Sequence, residues 1–216
     1  MAAPVYQAKG TLGESLLLSV NLTYPTLAAN DLLYLLVFNK ATSSTITVSS
    51  GWTLQNSIRT SNGYGLINLY VKVATGSESG TEAVTRSNAG GGLTFAAQVY
   101  SFRGDAFISI ESKLTQKGAS DNITWPAITV SGTERVLGAF VVNINGLNPG
   151  TPATYTNRAS DVLTDGTYFE LNTKDNVSSD GSVTATGGSL DEWGTFHHSI
   201  FNNTPPITTP RTFIVN

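Results

Sequence analysis

Cysteine is absent from the 216 residues of this chain. That excludes disulfides, thiolate metal centres and a cysteine nucleophile, and leaves packing and sheet hydrogen bonds to hold the fold. Charge is scarce as well. Asp, Glu, Lys and Arg supply 12% of residues, about half the usual quarter, and no stretch has the Glu- and Lys-rich wet face of a long amphipathic helix. A helical bundle is therefore excluded. The 12 Lys and Arg form no run and the formal net charge is −3, so there is no basic field to draw in nucleic acid. Long apolar runs are also missing. The most apolar stretch, residues 32–38, falls far short of the ~20 residues a membrane helix needs. The opening Met1-Ala2-Ala3-Pro4-Val5-Tyr6 has no basic segment followed by an apolar run, which reads as a chain made in a cytoplasm and not as a secretory signal.

What replaces the charge is Ser, Thr, Asn and Gly, the composition of a strand-and-turn protein. Short runs rich in Val, Ile, Thr, Tyr and Phe, bounded by Gly, Asn, Asp or Pro, recur along the whole chain. The expected strands cover residues 15–21, 31–38, 45–48, 52–58, 65–74, 82–86 and 93–102. A second series covers 107–113, 123–130, 135–144, 153–157, 167–173, 182–186 and 195–201. About 12 to 14 strands of ordinary length are enough for two sheets. The fold class expected is all-β, an antiparallel two-sheet sandwich of jelly-roll-like type, with one face of each sheet buried.

The two series resemble each other. In the first, Asp31 to Asn39 leads to Gly51-Trp52-Thr53, then to Leu69 to Ala74 and Leu93 to Ala97. In the second, Glu134 to Asn143 leads to Pro152-Ala153-Thr154, then to Tyr168 to Asn172 and Trp193 to Phe196. Either internal duplication or the intertwined Greek keys of one jelly roll produces such a pattern. The link through Ser101 to Phe107 is short and apolar on both sides, so residues 1–201 read as one domain of two similar halves, about 15–104 and 105–201. Residues 202–216, with Pro205, Pro206 and Pro210 followed by Phe213-Ile214-Val215, read as an extended C-terminal arm that packs on its own domain or docks on a neighbour.

No constellation of catalytic or metal-binding residues assembles. His197 and His198 fall on opposite faces of an expected strand, one in the core and one at the surface, and cannot share a metal. Asp161, Asp165, Glu170, Asp175, Asp180, Asp191 and Glu192 are the densest carboxylates, but Asp165-Gly166 and Asp180-Gly181 are turn signals, not an acid and base pair. Gly76-Ser77-Glu78-Ser79-Gly80 carries Glu78 where a nucleophilic serine would stand, and Gly90-Gly91-Gly92 precedes a strand, not a phosphate-binding helix. Both read as loops. Trp52, Trp125 and Trp193, with Tyr6, Tyr64, Tyr155 and Tyr168, would form a sugar-stacking platform only if several shared an exposed face. No catalytic, cofactor-binding or metal residue is expected, and no enzyme activity.

Gly51-Trp52-Thr53, Leu69-Tyr70-Val71-Lys72-Val73-Ala74-Thr75-Gly76-Ser77-Glu78, Val99-Tyr100-Ser101-Phe102-Arg103-Gly104 and Asp121 to Val130 together resemble β-sandwich virion proteins of tailed bacteriophages and prophages. The likeness runs over roughly residues 15–201. Thr154-Tyr155-Thr156 stands where that group has Gly-Met. The resemblance implies a virion component made in a bacterial cytoplasm: a head decoration or cement protein contacting the major capsid protein or other virion subunits, as a homo-oligomer such as a trimer. The alternative it implies is a head- or tail-fibre module that binds a receptor or host surface glycan. It implies no catalytic residue, no cofactor, no nucleic acid and no membrane insertion.

Overall fold

The computed structural model describes residues 3–41, 43–61, 63, 65–89, 91–104, 107–130, 132, 134–144, 146–177, 179–186 and 192–203. They are all-β. In the first half the strands are β1 (Val5–Lys9), β2 (Gly13–Ser15), β3 (Ser19–Thr23), β4 (Leu32–Asn39), β5 (Ile46–Thr47), β6 (Thr53–Arg59), β7 (Leu66–Val73), β8 (Thr81–Arg86) and β9 (Phe95–Arg103). The second half has β10 (Phe107–Ala119), β11 (Asn122–Trp125), β12 (Ile128–Thr129), β13 (Arg135–Asn143), β14 (Thr156–Val162), β15 (Tyr168–Asp175), β16 (Ser179–Asp180), β17 (Val183–Thr186) and β18 (Glu192–Asn203).

Each half repeats one plan. The large sheet of the first runs β1-β9-β4-β7-β6, with β2 beside β9, and that of the second runs β10-β18-β13-β15-β14. A small sheet, β3-β8-β5, faces the first large sheet, and the pairs β11-β17 and β12-β16 face the second. All pairings are antiparallel, and no described pairing joins one half to the other. A single jelly roll threading the whole chain would pair strands across the halves.

Even the irregularities repeat. The ladder of β1 with β9 slips between Tyr6 and Ala8, opposite Phe102 and Ser101, and that of β10 with β18 slips between Ile110 and Ser112, opposite Ile200 and Ser199. A second slip, between Leu54 and Asn56 on β6, has its match between Asn157 and Ala159 on β14. Bulges are specific features kept within families of related structures, so their recurrence at matched registers favours duplication as the origin of the repeat. The same registers make Lys9 the counterpart of Lys113, Asn39 of Asn143 and Tyr100 of His198.

The expected two sheets are four layers. Along β4, Leu32, Tyr34, Leu36 and Phe38 point to a core that also contains Val136, Phe140 and Val142 of β13, while Leu33, Leu35 and Val37 point to the small sheet of their own half. β13 divides in the same way, with Leu137, Ala139 and Val141 packed against Ile123, Trp125 and Ala185. The large sheets are thus buried on both faces, which is why β4 and β13 are continuous apolar runs. In the outer layer β8 alternates exposed and buried residues, the pattern of a strand with one wet face.

Some expected strands differ. Residues 15–21 are not one strand: the chain breaks at Leu16–Leu18 and passes from β2 in the large sheet to β3 in the small one. The strand expected over 153–157 lies at β14, because the polar edge run from Thr156 to Val162 pairs with β15. β1 and β16 were not foreseen. In the expected C-terminal arm, Asn202 and Asn203 belong to β18 and pair with Ile108 and Phe107, while 204–216 lies outside the described residues.

Candidate functional site: an exposed leucine bend

The seam between the halves takes up three of the ionisable residues that sequence singled out, Asp161, Asp165 and His198. Asp161 on β14 takes Lys9 of β1 and, at 2.8 Å, Gln98 of β9. Asp165 accepts from Lys40 (3.2 Å) and from the Thr94 hydroxyl (2.7 Å), which together with Thr167 hold its carboxyl below the ordinary range despite partial burial. Reciprocally, β10 and β18 reach β6: Lys113 Nζ donates to Gln55 Oε1 at 2.7 Å, and His198 Nε2 lies 2.7 Å from Asn56 Oδ1. Counterpart strands therefore make the same kind of contact in both directions, the geometry of a two-fold pair.

Both histidines are buried, which corrects the expectation of one at the surface. They do project to opposite faces of β18, but each face is covered. His198 stands among Tyr34, Phe140 and Asn56 at the seam, where burial holds its pKa down to about 3, with His197 and Lys113 adding to the effect. His197 faces the outer core, its Nδ1 2.8 Å from the Pro126 carbonyl and its Nε2 2.8 Å from the Tyr155 hydroxyl. That hydroxyl is also 3.0 Å from Asp180 Oδ2, which Lys174 holds at 3.1 Å. Burial lowers the His197 pKa, and the Pro126 carbonyl and Asp180 offset only part of this.

Glu170 is buried and accepts from Asn172 at 2.7 Å; burial pushes its carboxyl pKa up. Asp175 pairs with Arg158 at 3.1 Å. Glu192 is largely buried at the start of β18, and Asp191 lies outside the described residues. Among the described residues no group of three or more metal-ligating side chains comes together. Glu78 caps its own loop, accepting from the backbone of Thr75 and Gly76 at 3.0 Å, with a pKa lowered to about 2.

The aromatic platform does not assemble from the tryptophans. Trp125 is fully buried and donates to the Phe140 carbonyl at 2.9 Å, and Trp193 is buried with its ring over Gly118. Trp52 is part-buried against the outer core of the first half, beneath Lys72. Tyr155 is committed to His197 and Asp180, Tyr6 stacks edge-on with Phe102, and Tyr64 lies outside the described residues.

The surface feature that sequence missed is the bend between β2 and β3. Leu16, Leu17 and Leu18 are 53%, 72% and 49% exposed, and Leu93 beside them 37%. The bend is held by one buried residue, Arg86 at the end of β8. Its backbone N–H donates to the Leu18 carbonyl at 2.8 Å. Its guanidinium donates to the carbonyls of Leu17 (2.9 Å), Leu16 (3.1 Å) and Leu93 (2.6 Å) and to Asn39 Oδ1 (2.9 Å), and lies 5.0 Å from the centre of the Phe95 ring. Three successive carbonyls are thus drawn inward to Arg86, and the three leucine side chains are left facing solvent. In the second half the link between the matching strands β10 and β11 is Ser120-Asp121. The duplicated fold makes this turn with polar residues, so the leucines are not needed to make the turn.

These features define an antiparallel all-β sandwich protein with a rigid apolar bend on its surface. Comparison with protein-family models, with curated proteins and with solved structures found no match to this chain.

Proposed function

We propose that the chain is a non-enzymatic structural protein of a tailed-bacteriophage virion, a capsid decoration or cement protein that works through contacts with the major capsid protein or other virion subunits. The single observation that carries an assembly role is the leucine bend: an exposed apolar surface, fixed in place by a buried arginine, at a turn that the other half builds from Ser and Asp. Apolar residues held rigidly in water at no structural need are a mark of protein–protein contact. The engagement of the candidate carboxylates and histidines in structural pairs supports a role without catalysis. The winding of each half, β1-β9-β4-β7 facing β3-β8-β5 and its counterpart, supports a jelly-roll-like reading of the unit. The virion assignment itself rests on the sequence resemblance around Gly51-Trp52-Thr53 and Val99 to Gly104.

The test is co-sedimentation with head particles lacking the protein, taken from the phage or prophage that encodes it. Wild-type chain binds at saturable stoichiometry, and Leu17→Ser binds at least about ten-fold more weakly; equal binding removes the bend from the interface, and no binding of either removes the virion reading.

A second reading, glycan recognition, draws on an open groove of about 460 Å³ lined by Lys9, Gly10, Thr11, Leu12, Thr23, Tyr24, Gln98 and Asp161. It offers hydroxyl, amide and carboxylate groups beside one aromatic ring, the chemistry a sugar needs. A glycan array that stays blank at high protein concentration counts against it.

A further inference from the structure

We propose that the leucine bend is the seat for residues 204–216 of a second copy of this chain, with Phe213-Ile214-Val215 covering Leu16, Leu17, Leu18 and Leu93, so that the chain closes a homo-oligomer through exchanged segments. This deepens the reading of the bend as a docking surface and rests on it.

The size of the patch selects the kind of occupant. Part-exposed leucines at one bend offer on the order of 300 Å², well below the ~800 Å² per partner of a stable face-to-face interface. A patch of that size fits a short apolar segment. The chain carries one: after Asn203 come three prolines among Thr204, Ile207, Thr208 and Thr209 without any acidic residue, then Arg211-Thr212 and the triplet Phe213-Ile214-Val215. Prolines at 205, 206 and 210 lower the entropy lost when such a segment is fixed in extended form.

Reach decides between the chain's own bend and a neighbour's. The segment starts where Asn203 pairs with Phe107 and Asn202 abuts Gly104, at the far end of β9. The bend follows Ser15, which pairs with Phe95 at the near end of β9. The length of β9 separates them by about 27 Å, at ~3.4 Å per residue. The start also lies in the large sheet of the second half, and the bend lies beyond the large sheet of the first, which adds roughly 15 Å sideways at ~10 Å per layer. The direct path is then about 30 Å through the protein, and longer around it, against at most ~36 Å for ten residues fully extended. The chain's own bend is at the limit of reach, while a neighbouring copy's bend can lie at any distance the assembly sets.

The experiment uses the full chain with Leu17→Asp on one side of the contact and Ile214→Asp on the other, read by sedimentation velocity at micromolar concentration. Wild type sediments as an oligomer. Each variant sediments as a single chain with unchanged thermal unfolding, and an equimolar mixture of the two recovers a complex, because one supplies an intact bend and the other an intact segment. Should Leu17→Asp disturb folding, Leu17→Ser takes its place, the polar choice the second half already makes at Ser120. A single-chain wild type, or variants that remain oligomeric, overturns the proposal; so does failure of the mixture to reassociate. Loss of particle binding in Leu17→Asp with the oligomer intact leaves the docking surface standing and removes the exchanged segment. Loss of the oligomer with particle binding intact leaves the exchanged segment standing and removes the bend from the contact with the virion.

Discussion

His198 Nε2 lies 2.7 Å from Asn56 Oδ1, joining β18 of the second half to β6 of the first across a seam that also holds buried aliphatic and aromatic side chains of both halves. Asn56 Oδ1 can only accept, so Nε2 carries the proton. Nδ1 then accepts, at 3.4 Å, from the hydroxyl of Tyr34. The neutral ring is satisfied on both sides, and a second proton would place a charge in a buried site where His197 and Lys113 also oppose it.

Acid should therefore open the seam. The His198 pKa is about 3 in the fold, lowered first by burial, against about 6.5 in the unfolded chain. Above about pH 6.5 both states hold the neutral ring; as pH falls toward 3 the unfolded state binds a proton the fold refuses, and stability drops. Between pH 7 and 4.5 the loss is about 2 to 3 kcal/mol. His197 acts in the same sense. Urea unfolding of wild type and His198→Gln at both pH values checks this: the variant is less stable at pH 7 and loses less on acidification.

Glu170 acts in the opposite sense. Its raised pKa means that the fold favours the protonated carboxyl, so its contribution is complete below about pH 4.5 and is lost as pH rises through the folded value. Glu170→Gln keeps the shape and removes the charge. It is expected to stabilise the protein by about 1 kcal/mol at pH 8 and to change little at pH 4, measured by thermal melts across that range.

Gly194 on β18 packs closely against the first half. A Cβ there would lie 2.6 Å from Ile67 Cδ1 and 3.2 Å from Ile58 Cγ2, both on the first half. The nearest atom is the end of a flexible side chain, so Gly194→Ala should cost about 1 kcal/mol and Gly194→Val about 2 to 3. Adding Ile67→Val to Gly194→Ala should recover part of the loss, and a double-mutant cycle measures that coupling.

Much of this was legible in the sequence, and the remainder fails for identifiable reasons. β-branched and aromatic runs between Gly and Asn turns gave the strand class, and the repeat of Asp31 to Asn39 by Glu134 to Asn143 matches β4 and β13 in structure. Those same runs lack alternation, which already signals burial on two faces, yet a two-sheet expectation allowed only one. One histidine of the His197-His198 pair was placed wrongly at the surface for that reason. The Leu16–Leu18 stretch read as strand because it is apolar; the missing signal is β-branching, since Leu fits a pleated sheet less well than Val or Ile. Arg86 could not have been connected to it, because the contact spans 69 and 70 residues of sequence and exists only once β8 lies beside β3.

Arg86 separates the rigidity of the bend from its apolarity. Its guanidinium satisfies three carbonyls and Asn39 Oδ1 from one buried position, and burial lowers its pKa without a carboxylate among these partners. Lysine offers a single point of charge and cannot span four acceptors set around a planar fork. Arg86→Lys should leave every leucine in place and free the backbone that presents them. Amide exchange at Leu17, Leu18 and Ser19 is expected to quicken by at least about ten-fold, while β11 to β13 in the second half exchange as in wild type. If a flexible leucine bend were sufficient for docking, this variant would assemble normally. Assembly weakened to the level of Leu17→Ser, with the leucines still present, shows that the fixed geometry imposed by Arg86 is what the partner reads.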